Sequence, residues 1–333
     1  MTKNITNLVA DIGGTNIRIA QADSQKEKYF CEIETYHCAE FSNLVDVLSL
    51  YINQKQLNHC SINACLAIAC PVDDDIISMT NLPWRFSQKK LKSQLSLNSL
   101  KFINDYTAIA MAIPLLNDDQ KVKIGGGKTV DDKPISVCGP GTGLGVANLV
   151  PISISGTSHW HCVSGEGGHV DFAPVGAQEI SILHFLNTLK KRVSYEQLLS
   201  GYGLEQIYQA LVSITINKEG SEKKLKPSAQ EISFHGADKS CDLCHQALLV
   251  FCQVLGSFAG NLALTLNSQG GVYIAGGITP RFIDFLQSSN FRERFEAKGR
   301  LSHITKQTPT YVVTEAQPGL LGATAVLLQQ EIS

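Results

Sequence analysis

The chain has 333 residues, 44% of them hydrophobic and 17% charged, with 28 Lys and Arg against 30 Asp and Glu for a formal net charge of −2. That length fits one large or two ordinary domains, and so high an apolar content excludes disorder for most of the chain. The near-neutral balance, with no basic block longer than Lys190, Lys191 and Arg192, argues against a nucleic-acid or acidic-membrane partner.

Residues 1–7 are polar and offer no secretory core. The ten cysteines are scattered through apolar runs, a usage that suits reduced thiols better than a disulfide framework. A cytoplasmic protein is expected.

Residues 8–20 read as two short apolar strands joined by a turn at Gly13 and Gly14. The glycines let backbone amides converge on an anion, and Asp11 at the strand end can hold a hydrated Mg2+; a plain hairpin turn is the alternative. Leu44, Val45, Leu48 and Ile52 have helical spacing, and residues 64–72 read as a buried strand ended by Pro71. A third strand at 100–103 leads through Asn104 and Asp105 into a helix reaching Met111. Asp105 there is either an N-cap or a carboxylate offered to a ligand.

Residues 114–134, rich in Asn, Asp, Lys and Gly, read as a surface connection between domains. Residues 134–150 then repeat the opening device of strand, glycine turn and strand, which predicts a duplicated α/β architecture. The run from Gly139 to Gly145 is not a dinucleotide fingerprint, because Leu144 stands where the sixth position needs glycine. Gly127, Lys128 and Thr129 do not end a Walker A loop, since Val122 replaces its first glycine.

Helical segments are expected at 180–189, 195–199 and 204–212, followed by a polar stretch at 217–231. The uncharged run 246–280 has no basic anchors and is interrupted by Gln253, Ser257, Gly260, Asn261 and Asn267. It reads as a buried helix, 247–266, feeding a strand at 271–277, with no membrane span. Cys241 and Cys244 form a lone CxxC, read as a thiol pair without zinc. The tail is a strand at 311–314 and a helix at 319–328 that returns to the first domain.

DIGGTNIR at 11–18, NLPWRFS at 81–87, FINDYTAIA at 102–110, GPGTGLG at 139–145, GEGGHVDFAP at 165–174, SYEQLLSGYGL at 194–204 and IAGGITPRF at 274–282 occur in this order. Together they resemble the bacterial glucokinase family. The resemblance implies an α/β fold of two ribonuclease-H-like (actin-like ATPase) domains flanking a nucleotide and sugar cleft. The small domain would be 1–115 completed by 312–333, and the large one 116–311. It further implies ATP-dependent phosphorylation of glucose with Mg2+, Asp105 acting as general base and Asn104, Glu166, His169 and Glu196 binding the sugar. Ala10, Asp11, Ile12, Gly13, Gly14, Thr15, Gly141, Thr142, Gly143, Gly276 and Gly277 would contact the nucleotide.

On the residues alone, Glu166 and His169 bracket a flexible Gly167–Gly168 pair that would turn both side chains toward one ligand, or they are a solvated carboxylate and a surface histidine. Glu196, in the first turn of an expected helix, equally fits a capping role. The text after His169 has no cysteine-rich zinc motif. Kinases for mannose, fructose or an N-acyl hexosamine stand beside the glucose reading. So does a sugar-binding transcriptional regulator, which would need a DNA-binding domain where ten residues precede Asp11. A homodimer is left open.

Overall fold

In the computed structural model, residues 4–26, 29–79, 82–154, 156–219 and 226–331 are described. Asn81 of the NLPWRFS motif and part of the expected polar stretch, 220–225, lie outside the described residues. Contacts divide the chain into two units, Met1–Leu116 with Glu315–Ser333, and Asn117–Thr314.

In the first unit, β1 (Ile5–Ile12), β2 (Asn16–Ala22) and β3 (Phe30–His37) form an antiparallel meander. Asn43 caps α1 (Leu44–Gln54), its side chain accepting the Asp46 amide hydrogen. Leu44, Val47, Leu48, Tyr51 and Ile52 of α1 turn inward, the spacing of one apolar helical face. The chain continues through β4 (Ser61–Ile68), a small hairpin of β5 (Ile76–Ser78) and β6 (Arg85–Ser87), α2 (Gln88–Gln94), β7 (Ser99–Asn104) and α3 (Asp105–Ala112). The sheet order is β3-β2-β1-β4-β7, with β4 and β7 parallel to β1. β4 begins and ends earlier than the expected 64–72 because its register runs from Ile5 opposite Ser61 to Ile12 opposite Ile68. The partner strand, not Pro71, sets its end.

The second unit contains β8 (Lys121–Gly125), β9 (Ile135–Pro140), β10 (Leu144–Ile154), β11 (Thr157–Gly165), β12 (Gly271–Ile274) and β13 (Thr310–Val313). Its sheet order is β11-β10-β9-β12-β13-β8. The meander β9–β11 is antiparallel, while β12 and β13 lie parallel beside β9. This reproduces the topology of the first sheet, so the duplication read from the glycine turns is real at the level of strand order. The fold is α/β and of the ribonuclease-H type in each unit. The boundary between the units, Leu116 to Asn117, falls within the expected connection at 114–134, and part of that stretch forms β8, which pairs antiparallel with β13 at the sheet edge. Its Ile124 packs on the core.

Helices of this unit are α4 (Gly176–Leu189), α5 (Gly201–Glu219), α6 (Ala229–Ala237), α7 (Asp242–Leu266), α8 (Ile283–Ser288), α9 (Phe291–Glu296) and α10 (Ser302–Gln307). The most apolar stretch of α7 is 72% buried, and the helix packs against α5, α6 and α9. Its uncharged character is that of a core helix. The segment expected at 195–199 is a single 3-10 turn, Tyr195–Gln197.

The C-terminal helix α11 (Pro318–Glu331) packs on α3, β1 and β4. Gly322 makes this approach possible, because a Cβ there would stand 1.6 Å from the Ala108 carbonyl oxygen of α3. Gly322→Ala should therefore push the helices apart at a cost of about 1–3 kcal/mol, seen as a lower Tm. An unchanged Tm would mean that α11 slides away freely.

Candidate active site

In the first unit, the parallel strands end level with one another, Ile12 opposite Ile68 and Ile68 opposite Asn104. Asp11, Asn104 and Asp105 thus share the carboxyl edge of the sheet, the edge at which open α/β sheets bind ligands. The β1–β2 turn is closed by the Gly13 amide donating to the Asn16 carbonyl at 3.0 Å. Behind it, the Cys38 amide donates to the Thr15 carbonyl at 2.9 Å, and the Cys38 thiol lies 3.7 Å from the Gly13 carbonyl oxygen. Ala10 and Ile12 are buried in the strand, while Gly13 and Gly14 are half-buried and Thr15 is exposed.

The N-cap of α3 is Asn104, not Asp105. Asn104 Oδ1 accepts from the Tyr106 and Thr107 amides at 2.9 and 3.3 Å. Asp105 is the first helical residue, with Oδ1 2.8 Å from the Tyr106 nitrogen. Burial raises its carboxyl above the ordinary carboxylate value, the Tyr106 amide opposes the rise, and the charge of Asp11 adds to it. The Asp11 carboxyl is also raised, mainly by burial and against the pull of Arg18, whose guanidinium lies 3.5 Å away.

In the second unit, the β9–β10 turn is closed by the Gly141 amide donating to the Gly143 carbonyl at 2.8 Å. The Gly141 carbonyl accepts from the Gly201 amide at 3.0 Å, so α5 begins against this turn. Sequence reading did not single out Gly201, although its SGYG context signals a helix start. A bond of 2.8 Å from the Ala275 amide to the Cys138 carbonyl brings Gly276 and Gly277 out beside the strand that carries the turn.

A second cluster forms where the segment after β11 pairs with the chain before Glu196. Phe172 donates to the Val193 carbonyl and Tyr195 to the Val170 carbonyl, each at 3.0 Å. Arg192 clamps the pairing by bonding the His169 carbonyl and the Asp171 carboxylate. This brings His169 Nε2 within 3.8 Å of Glu196 Oε1. Glu166 precedes the 3-10 turn Gly167–His169 and is exposed, its carbonyl accepting the His169 amide hydrogen. Gly168 is buried, and a Cβ on it would stand 2.2 Å from the Leu144 carbonyl oxygen. Glu196 sits on its own 3-10 turn rather than at the head of a longer helix, which removes the helix-capping alternative.

Cys241 caps α7, its sulfur accepting from the Cys244 amide at 3.3 Å. Among the described residues, no group of three or more His, Cys, Asp or Glu is placed to hold a metal ion.

A family model described as Glucokinase matches residues 8–330. The chain belongs to the glucokinase family. A curated glucokinase from Colwellia psychrerythraea is 61% identical over 325 residues, 98% of this chain and 97% of that one. Among solved structures, a glucokinase from an Antarctic psychrotroph is 36% identical and superposes with a TM-score of 0.86 over 97% of this chain and 99% of its own. A Balamuthia mandrillaris glucokinase, solved in complex with glucose, shares the fold at 24% identity and a TM-score of 0.77, over 96% and 93% of the two chains. The matched range includes the two glycine turns, Asp105, His169 and Glu196.

Proposed function

We infer that this chain transfers the γ-phosphoryl group of ATP to the 6-hydroxyl of D-glucose, giving ADP and glucose 6-phosphate. The observation that carries the reading is the carboxylate of Asp105 beside a phosphate-type glycine turn, at the carboxyl ends of the parallel strands β1, β4 and β7 in a glucokinase-family chain. Asp105 accepts the 6-hydroxyl proton as that oxygen bonds to the γ-phosphorus and the bond to the β,γ-bridging oxygen breaks. Because phosphoryl transfer passes through a loose transition state, most of the protein's work is positioning and charge neutralisation.

Asn104, Glu166, His169 and Glu196 hydrogen-bond the sugar hydroxyls. Ala10, Asp11, Ile12, Gly13, Gly14, Thr15, Gly141, Thr142, Gly143, Gly276 and Gly277 are the nucleotide contacts that the family pattern implies. Asp11 is a hard oxygen donor at the sheet edge, beside the β1–β2 turn. Such a donor fits a hydrated Mg2+, which is commonly held by one or two carboxylates together with substrate phosphates. Bound there, Mg2+ would offset charge on the transferring group. The ten free cysteines support a reducing, cytoplasmic setting.

Sugar choice follows from pairing: a site built to bond particular hydroxyls rejects a sugar that leaves its polar groups unmatched. ADP release measured over a hexose panel should show glucose far ahead of mannose, fructose and N-acetylglucosamine. Equal turnover of mannose or fructose would overturn the glucose assignment, and no sugar-dependent ADP release would overturn the kinase itself.

A further inference from the structure

Glu196 faces two ways within the second unit. Its Oε1 stands 3.8 Å from His169 Nε2, while its Oε2 accepts a hydrogen bond of 2.9 Å from the Leu144 amide. That amide opens β10, immediately after the Gly141–Gly143 turn. Leu144 is buried, so its N–H has no ready substitute partner in water, and loss of the carboxylate would leave a buried donor unmatched.

Gly143 presses on the same carboxylate. A Cβ there would lie 2.5 Å from Glu196 Oε2 and 3.3 Å from its Cδ, with no other group within 4 Å. Gly143 is not among the residues with positive φ, so its backbone admits alanine, and the added methyl would act on Glu196 alone. Gly141, in the same turn, also lacks a positive φ, and its Cβ would meet only the Gly143 carbonyl oxygen at 3.9 Å, an ordinary contact.

We propose that Glu196 is a positioning residue that locks the Gly141–Gly143 turn to the sugar-binding pair, so that glucose and nucleotide affinities are coupled through one carboxylate inside the second unit. The proposal rests on the reading of His169 and Glu196 as sugar contacts. The Leu144 amide holds Oε2, which aims Oε1 at the sugar side. A sugar hydroxyl on Oε1 in turn holds the carboxylate in the rotamer that braces the turn. Coupling of this kind is reciprocal: the factor by which glucose improves nucleotide binding equals the factor by which nucleotide improves glucose binding.

Calorimetric titrations of the full-length protein test this without turnover. Gly143→Ala, a change in the nucleotide turn, should weaken glucose binding in the absence of nucleotide by about tenfold, the scale of one charge-assisted hydrogen bond. Gly141→Ala should leave glucose affinity as in the wild type. Glu196→Ala should weaken binding of a non-hydrolysable ATP analogue measured without sugar, and abolish any effect of glucose on that binding. Glu196→Gln, which keeps an oxygen for the Leu144 amide, should restore the sugar-free analogue affinity. Wild-type glucose affinity in Gly143→Ala, or wild-type analogue affinity in Glu196→Ala, would overturn the coupling while leaving the sugar reading intact. A wild-type protein that binds no glucose would overturn the sugar reading and this inference with it.

Discussion

Asp105→Asn should lower turnover by about 10²- to 10⁴-fold, the usual contribution of a positioned base, while calorimetry finds glucose affinity little changed. The amide keeps the shape of the carboxylate and its oxygen can still accept from the Tyr106 amide, now 2.8 Å from Asp105 Oδ1, but it cannot take up the substrate proton. The pH profile adds a second readout. Asp105 must be ionised to act, and burial together with the Asp11 charge holds its carboxyl above the ordinary value. The acid limb of kcat/KM should therefore lie higher than for an ordinary aspartate, with the rate falling as pH drops through it. Asp11→Asn removes a neighbouring negative charge, makes ionisation of Asp105 easier, and should move that limb to lower pH whatever it does to the rate. Near wild-type turnover in Asp105→Asn would assign the base to another carboxylate, with Glu196 and Glu166 next to test.

Arg294→Met should cost about 3–5 kcal/mol, the typical penalty for stranding one partner of a buried ion pair. Glu179 is only 2% exposed. Its Oε1 and Oε2 lie 2.6 and 3.4 Å from the Arg294 guanidinium, and Oε2 also accepts from the Val175 amide at 2.7 Å. Arg294 further donates to Ser257 Oγ at 2.7 Å, so the pair ties the start of α4 and α9 to the core helix α7. Without the guanidinium, the carboxylate keeps one backbone donor and no counter-charge. Equilibrium denaturation should show the loss, and adding Glu179→Leu should recover much of it, since an apolar pair of similar volume is often no worse than a buried ion pair. A loss below about 1 kcal/mol, the scale of an exposed pair, would contradict this account.

Local signals sufficed for part of this molecule. Apolar runs on either side of Gly13–Gly14 and of Gly141–Gly143 became β1–β2 and β9–β10, because turn chemistry and strand periodicity act over a few residues. The strand-to-helix junction at Asn104 and Asp105, and the uncharged helix at 247–266, were legible for the same reason. Local text did not show that Lys121–Gly125 would find an edge position beside β13, that Asn104 rather than Asp105 would cap α3, or that β4 would stop at Ile68. Nor did it show the pairing of 170–172 with 193–195 that sets His169 against Glu196, or the bond that joins Glu196 to Leu144 across 52 positions. Each of these depends on which backbone donors and acceptors remain unpaired once the sheets are assembled. Buried amides must find partners wherever the chain brings them, so that choice belongs to the tertiary structure.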